Sequence, residues 1–384
     1  MEKRETRTKD PSVSQCSQTD WIPFDLAREI LMRLPAASLM RFRCVSKQWV
    51  SIISDPDFII SFTAKSRSYL LLNFRKNDNQ LFFSLSQHKN LEICLPNVET
   101  YPLTLLKEDS YASNSQFQSV HGLISFNYLR HVVIWNPSTR QHVTFRKPHE
   151  KPFYIRTYLG YDPIGTTYKV LSMALFSTKS THVLTLGDQE SWRPIKDNIP
   201  RRSFPSKWIC INGVLYFFVS NNGRAEILSF DVRTEKFKLI QCVHDDLEEN
   251  IYLVNYKNKL ARVISKSSCY ELWILEEAEK DKWSRQDFYL PFSPHDYGNY
   301  GLTGVTDSGE FIYVSVSWHD KNIHVSFYDP KGKSNRIIKI ERFEDEDFWL
   351  QDEWREHNWG LIGCIPNHIE NLICVKNFNC IPSV

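Results

Sequence analysis

The sequence predicts an α+β chain in two unequal parts: three short helices within residues 19–62, then an all-β domain of repeated hairpins over residues 63–384. Two patterns predict it. Between residues 20 and 60, apolar side chains recur at helical spacing; after Phe58, short β-type runs are separated by clusters of Gly, Pro, Asn and Asp. Aromatic residues make up 14% of the chain, which favours strands for the long second part, because rings pack well on a pleated surface.

Residues 1–18 are polar and charged with no recurring apolar position, so they cannot bury enough surface to offset the entropy of ordering. They are expected to form a disordered tail. In the next stretch, Leu26, Ile30, Leu31 and Leu34 follow helical spacing, with Asp25 as the expected cap and Pro35 as the stop. Ser38 is expected to cap a second helix carrying Leu39, Met40 and Phe42. Ser46 is expected to cap a third carrying Trp49, Ile52 and Ile53, ending at Asp55-Pro56.

So small a unit seldom has a sufficient core of its own, yet this one holds more large apolar side chains than its interior can enclose. The excess must be covered, either by another protein or by the rest of this chain.

The run resembles an F-box, in the plant form with a Pro-x-Asp-Leu opening. Pro23, Asp25, Leu26, Glu29, Ile30, Leu31, Arg33, Leu34 and Pro35 carry the first half of the resemblance. Ser38, Leu39, Arg41, Phe42, Arg43, Cys44, Val45, Ser46, Lys47 and Trp49 carry the second. Ile22 stands where Leu is usual, and Ala37 where a polar or basic residue often stands. The resemblance implies docking on a Skp-type adaptor, itself held by a cullin. Pro23, Leu26, Ile30, Leu34, Pro35, Leu39 and Val45 are then the expected adaptor-binding residues. Leu31, Phe42 and Trp49 are expected to hold the helices together.

In the β part a two-strand unit recurs. Copies turn at Asn136-Pro137, Gly187-Asp188, Asp231, near Glu276 and at Asp329-Pro330, separated by roughly 43 to 53 residues, the spacing of propeller blades. Strand pairs of a second kind lie between them, with tight turns expected at Asn212-Gly213 and at Asp307 to Gly309. Two pairs lack companions: residues 69–85 and a pair around 358–375. Together they complete one blade, giving a six-bladed propeller closed by its N- and C-terminal strands, with no sheet edge left for aggregation. A pair of irregular sandwiches is the competing architecture.

This part resembles the plant F-box-associated interaction domain in its kelch-related form. The matching phrases include Gly122-Leu123, Trp135-Asn136-Pro137, Gly160-Tyr161-Asp162-Pro163 and Tyr168-Lys169-Val170. Ser191-Trp192-Arg193, Asn212-Gly213, Phe230-Asp231 and Leu272-Trp273 continue the series. The resemblance implies a domain that recruits a protein substrate, without saying which.

Other functions find little support. Net charge is +2, from 47 basic and 45 acidic residues, so the chain lacks the basic footprint of a nucleic-acid binder. The nine Cys include no C-x-x-C pair and read as reduced thiols. No apolar stretch approaches the roughly 18 residues of a membrane span, and the N-terminus lacks the apolar core of a signal peptide, which points to cytoplasm or nucleus. Nucleophile-elbow, phosphate-loop and dinucleotide motifs are missing. His295, His319, His324 and His357 have no ligand spacing, so neither a metal nor a cofactor is expected. The acidic run Glu341 to Glu356 reads as a solvated loop, or more sharply as a contact for a basic partner. The expected role is a non-catalytic substrate receptor of a Skp–cullin–F-box ubiquitin ligase. An adaptor-bound scaffold without a role in degradation, or a propeller enzyme acting on a small molecule, are the alternatives.

Overall fold

The computed structural model describes residues 22–76, 79–87, 117–128, 130–148, 155–174, 177–187, 191–195, 207–221, 224–243, 251–266, 269–289, 301–317, 322–340 and 363–378. The expected tail at 1–18, the acidic run at 341–356, and His295, His319 and His357 lie outside them.

Four helices come first: Phe24–Leu31 (α1), Ala36–Phe42 (α2), Lys47–Ile53 (α3) and Pro56–Lys65 (α4). The fourth corrects the expected three-helix module. Asp55-Pro56, read as a stop, is also a start: Pro occupies the first helical position, where its missing N–H costs nothing, and Asp55 Oδ1 accepts from the Phe58 amide at 2.9 Å. Two caps are corrected as well. α1 begins at Phe24, so Asp25 lies inside the first turn, where its charge complements the helix dipole. Likewise α2 begins at Ala36, leaving Ser38 inside the helix. Ser46 does cap α3, its Oγ accepting from the Trp49 amide at 3.3 Å.

The β part is a ring of six sheets. Strands Ser68–Lys76 (β1) and Asn79–Ser86 (β2) start it. Blade 1 contains Gln118–Val120 (β3), Leu123–Tyr128 (β4), His131–Asn136 (β5) and Gln141–Arg146 (β6). Blade 2 contains Ile155–Asp162 (β7), Thr167–Ala174 (β8), Ser177–Thr185 (β9) and Arg193–Pro194 (β10). Blade 3 contains Lys207–Ile211 (β11), Val214–Asn221 (β12), Arg224–Asp231 (β13) and Phe237–Gln241 (β14). Blade 4 contains Ile251–Tyr256 (β15), Lys259–Ser265 (β16), Tyr270–Glu277 (β17) and Lys282–Phe288 (β18). Blade 5 contains Gly301–Val305 (β19), Phe311–Ser317 (β20), Asn322–Asp329 (β21) and Ser334–Ile340 (β22). Gly363–Ile369 (β23) then pairs with β1 to complete blade 6 in the order β2-β1-β23.

Local chemistry explains the hairpins. His121-Gly122, Asn212-Gly213 and Lys257-Asn258 have positive φ at both positions, the two-residue turn whose twist matches the flanking strands. At the outer hairpins, Asn136 Oδ1 accepts from the Ser138 amide at 3.0 Å, Asp231 Oδ1 from Thr234 at 2.7 Å and Asp329 Oδ1 from Lys331 at 3.0 Å. Tryptophans then tie blades together. Trp192 Nε1 donates to the Arg146 carbonyl at 2.7 Å, and Trp283 Nε1 to that of Gln241 at 3.0 Å, each from the outer part of one blade to the outermost strand of the preceding one.

Closure follows the expectation with one difference. The sequence predicts a strand pair around residues 358–375, but among the described residues they supply the single strand β23, and residues 370–374 leave the sheet. β23 bonds both neighbours: Asn367 Nδ2 donates to the Val305 carbonyl of blade 5 at 2.9 Å, while His368 Nδ1 and Ser119 Oγ of blade 1 lie 2.9 Å apart.

Two tests follow. Gly122 has φ +85°, and a Cβ there would sit 2.6 Å from Asn371 Cβ and 2.8 Å from the Ile369 carbonyl oxygen. Gly122→Ala should therefore destabilise by about 1–3 kcal/mol, read as a lowered denaturation midpoint. The seam should also be acid-labile. Burial lowers His121 to about 4 and His368 to about 3, against 6.5 when unfolded. Below pH 6.5 only the unfolded chain takes up these protons, so stability present at neutral pH is lost as pH falls. The loss is on the order of 2 kcal/mol per histidine by pH 5. His368→Gln should make the decline between pH 7.5 and 5 shallower by on the order of 2 kcal/mol.

Candidate functional site

The helical module has a sealed side and an open side. Ala27 and Leu31, one turn apart on α1, point inward with Leu39, Ile52, Ile53, Phe58 and Phe62. Phe42 and Trp49 stack beside them, ring centroids 5.0 Å apart and planes 21° from parallel. Arg28 joins α1 to α4, its guanidinium 3.4 Å from Asp55 Oδ1 and 5.6 Å from the Phe58 ring centre. One further residue of this core comes from far away: Leu372, 2% exposed, belongs to the same cluster.

The open side is apolar. Leu26 and Ile30 form an i,i+4 row that is 54% and 47% exposed, with Ile22 one step before it. Phe24 is 52% and Val45, in the turn after α2, 65% exposed. Pro23 and Pro35 are exposed too, and Leu34 is half-buried against the core. Of ten large apolar side chains exposed among the described residues, six lie between Ile22 and Ile60, so the excess is concentrated in this module. Burying one such side chain is worth about 1.5–3 kcal/mol, a sizeable gain for a partner that covers several.

Of the residues expected to meet an adaptor, the structure leaves Pro23, Leu26, Ile30, Pro35 and Val45 on the surface. Leu39 is placed differently: it is 0% exposed, because α2 turns it into the helical core, so it supports the surface from beneath. Leu31 is fully buried, and Phe42 and Trp49 are half-buried. Phe24 is an addition. Its spacing to Ala27 and Leu31 reads as core, and nothing in the pattern alone distinguishes it.

The chemistry of the described residues is correspondingly plain. No group of three His, Cys, Asp or Glu side chains among them is placed to hold a metal. Burial pushes the Cys210 and Cys364 thiols up to about 11 and about 12, which keeps them protonated and unreactive. No described helix is long and apolar enough to cross a membrane.

The two sides predict different responses to substitution. Leu26→Lys and Ile30→Lys should each change stability by no more than about 0.5 kcal/mol, whereas Leu31→Ala should cost about 2–5 kcal/mol. Chemical denaturation of the full chain distinguishes them.

Residues 20–61 match the F-box domain family, and residues 69–369 match the family described as F-box associated beta propeller domain. The F-box protein At5g18160 of Arabidopsis thaliana is 34% identical over 97% of this chain and 98% of its own length. Two more sequences of that plant, named as candidate F-box proteins, are At1g47790 and At4g21240. The first is 37% identical, covering 94% of this chain and 95% of its own length; the second is 38% identical, covering 93% and 90%. Among solved structures, TolB from Acinetobacter baumannii covers 84% of this chain and 73% of its own at 11% identity and a TM-score of 0.42, too distant to carry function. With an F-box at its start and the associated propeller over most of its length, the chain belongs to the plant F-box proteins of the F-box-associated-domain type.

Proposed function

We propose that this chain is the substrate-recognition subunit of a Skp–cullin–F-box ubiquitin ligase, working in the cytoplasm or nucleus. The observation that carries the reading is the asymmetry of the helical module. One side is closed by the chain's own core, and the other keeps Leu26, Ile30, Val45 and their neighbours in water. An exposed apolar row on a helix is a surface built for a partner's groove. Membership of the F-box family supports a Skp-type adaptor as that partner; on this reading a cullin stands behind the adaptor and the propeller captures a protein substrate.

The mechanism on this reading is proximity. The propeller holds a target while the helices hold the adaptor, and the ligase's conjugating partner modifies a lysine of the target at high effective concentration. The chain performs no bond-making step itself. Its contribution is two binding surfaces and the geometry between them.

The experiment is co-purification with a plant Skp-type adaptor and measurement of the dissociation constant. Leu26→Lys combined with Ile30→Lys should weaken binding at least about 100-fold, since two apolar contacts are replaced by desolvated charge. Unchanged affinity for the double variant would sink the interface assignment. Leu34 and Pro35 are poorer targets, because Leu34 packs on the core and Pro35 is the N-cap residue of α2. Accumulation of a co-purifying protein after proteasome inhibition, lost in the double variant, tests the degradation role separately.

A further inference from the structure

We propose that residues 370–378 form a latch that completes the helical module and fixes it to the propeller, so that the adaptor surface is held in one pose only once the ring is closed. After pairing with β1, the chain leaves the sheet at Glu370, meets the helices through Glu370 and Leu372, and continues against blades 1 and 2 through Asn371, Val375 and Phe378. Its side chains enter two different cores. Leu372 is buried with Leu31, Leu39 and Phe62 in the helical module. Val375 and Phe378 are buried with residues of blades 1 to 3.

Polar contacts fix the chain between these two insertions. The Glu370 amide donates to Ser66 Oγ at 2.8 Å, just past the end of α4, and Glu370 Oε1 accepts from the Ala36 amide at 3.1 Å, at the start of α2. Next to it, Asn371 faces the propeller. Its Nδ2 donates to the His121 carbonyl and the Tyr168 hydroxyl, both at 2.9 Å, and its own carbonyl accepts from Asn136 Nδ2 at 3.0 Å. Consecutive residues thus grip opposite partners. Ser66 and Arg67 alone would leave the helices on a single covalent tether, free to swing about it. The latch adds a second attachment whose anchoring strand, β23, is the one that closes the ring.

The device is visible without an adaptor, and its functional consequence alone rests on the proposed ligase role. Amide hydrogen exchange of the full chain tests it, with two variants. Leu372→Ser should speed exchange in α1 to α4 at least about 10-fold while the strands of blades 1 to 3 keep their protection. Glu370→Ala, a milder change, should speed exchange around Ala36 and leave the propeller unaltered. Small-angle scattering of either variant should show a broader range of distances between the two parts. Wild-type exchange in the helices of both variants overturns the latch, as does loss of protection spread equally over helices and blades. Adaptor binding should also fall in Leu372→Ser although every exposed apolar residue is retained. An adaptor that ignores the wild-type chain altogether defeats the ligase reading and leaves the exchange result standing.

Discussion

Antiparallel pairing of Ser68–Lys76 with Gly363–Ile369 is the contact on which the rest of the structure depends. It joins the two ends of the β part, nearly three hundred residues apart in sequence, and turns a row of sheets into a ring. The closing strand is held on three sides. β1 pairs with its backbone, Asn367 bonds blade 5, and His368 faces Ser119 of blade 1. Closure packs the first and last sheets against neighbours and leaves only the short inner and outer strands of each blade as edges. It also brings Glu370 and Leu372 against the helices, which ties the proposed carriage of the N-terminal module to closure of the ring.

The helical module shows why such a unit depends on neighbours. Four helices in some forty residues bury Leu31, Leu39, Ile52, Ile53, Phe58 and Phe62, but they draw on Leu372 from the far end of the chain to finish that core. The apolar residues left over face the other way. A row such as Leu26 and Ile30 brings little stability to the free chain, and it is a weak point for solubility unless a partner covers it. Its persistence beside a well-packed interior is what a docking surface requires. Sealed below and open above, the module can lend binding energy to a partner without giving up its own fold.

Much of the architecture was legible because its determinants are local. Asn136, Asp231 and Asp329 bond their own following amides, and Asn212-Gly213 adopts the left-handed pair, so turns and blade spacing could be read residue by residue. The errors arose where local chemistry has two meanings. Asp55-Pro56 ends one helix and begins the next, and so hid α4. Leu39 fits an apolar pattern whether it faces inward or outward, and only packing decides. The segment after Ile369 was opaque for another reason. Its partners Ala36, Ser66, His121 and Asn136 lie more than 200 positions away, so no short-range pattern announces that it leaves the sheet. The local pattern around Asn136 predicts only a turn, yet its side-chain amide also holds this returning chain.

The central claim is that the open apolar side of the helices, and no other part of the molecule, meets the adaptor. Mapping the footprint of a bound Skp-type adaptor on the full chain by hydroxyl-radical labelling tests it most directly. The account predicts that labelling falls at Phe24, Leu26, Ile30 and Val45 and stays unchanged at exposed propeller residues such as Ile164 and Ile337. Protection at the propeller residues, with the four helical-module positions labelled as in the free chain, would contradict it.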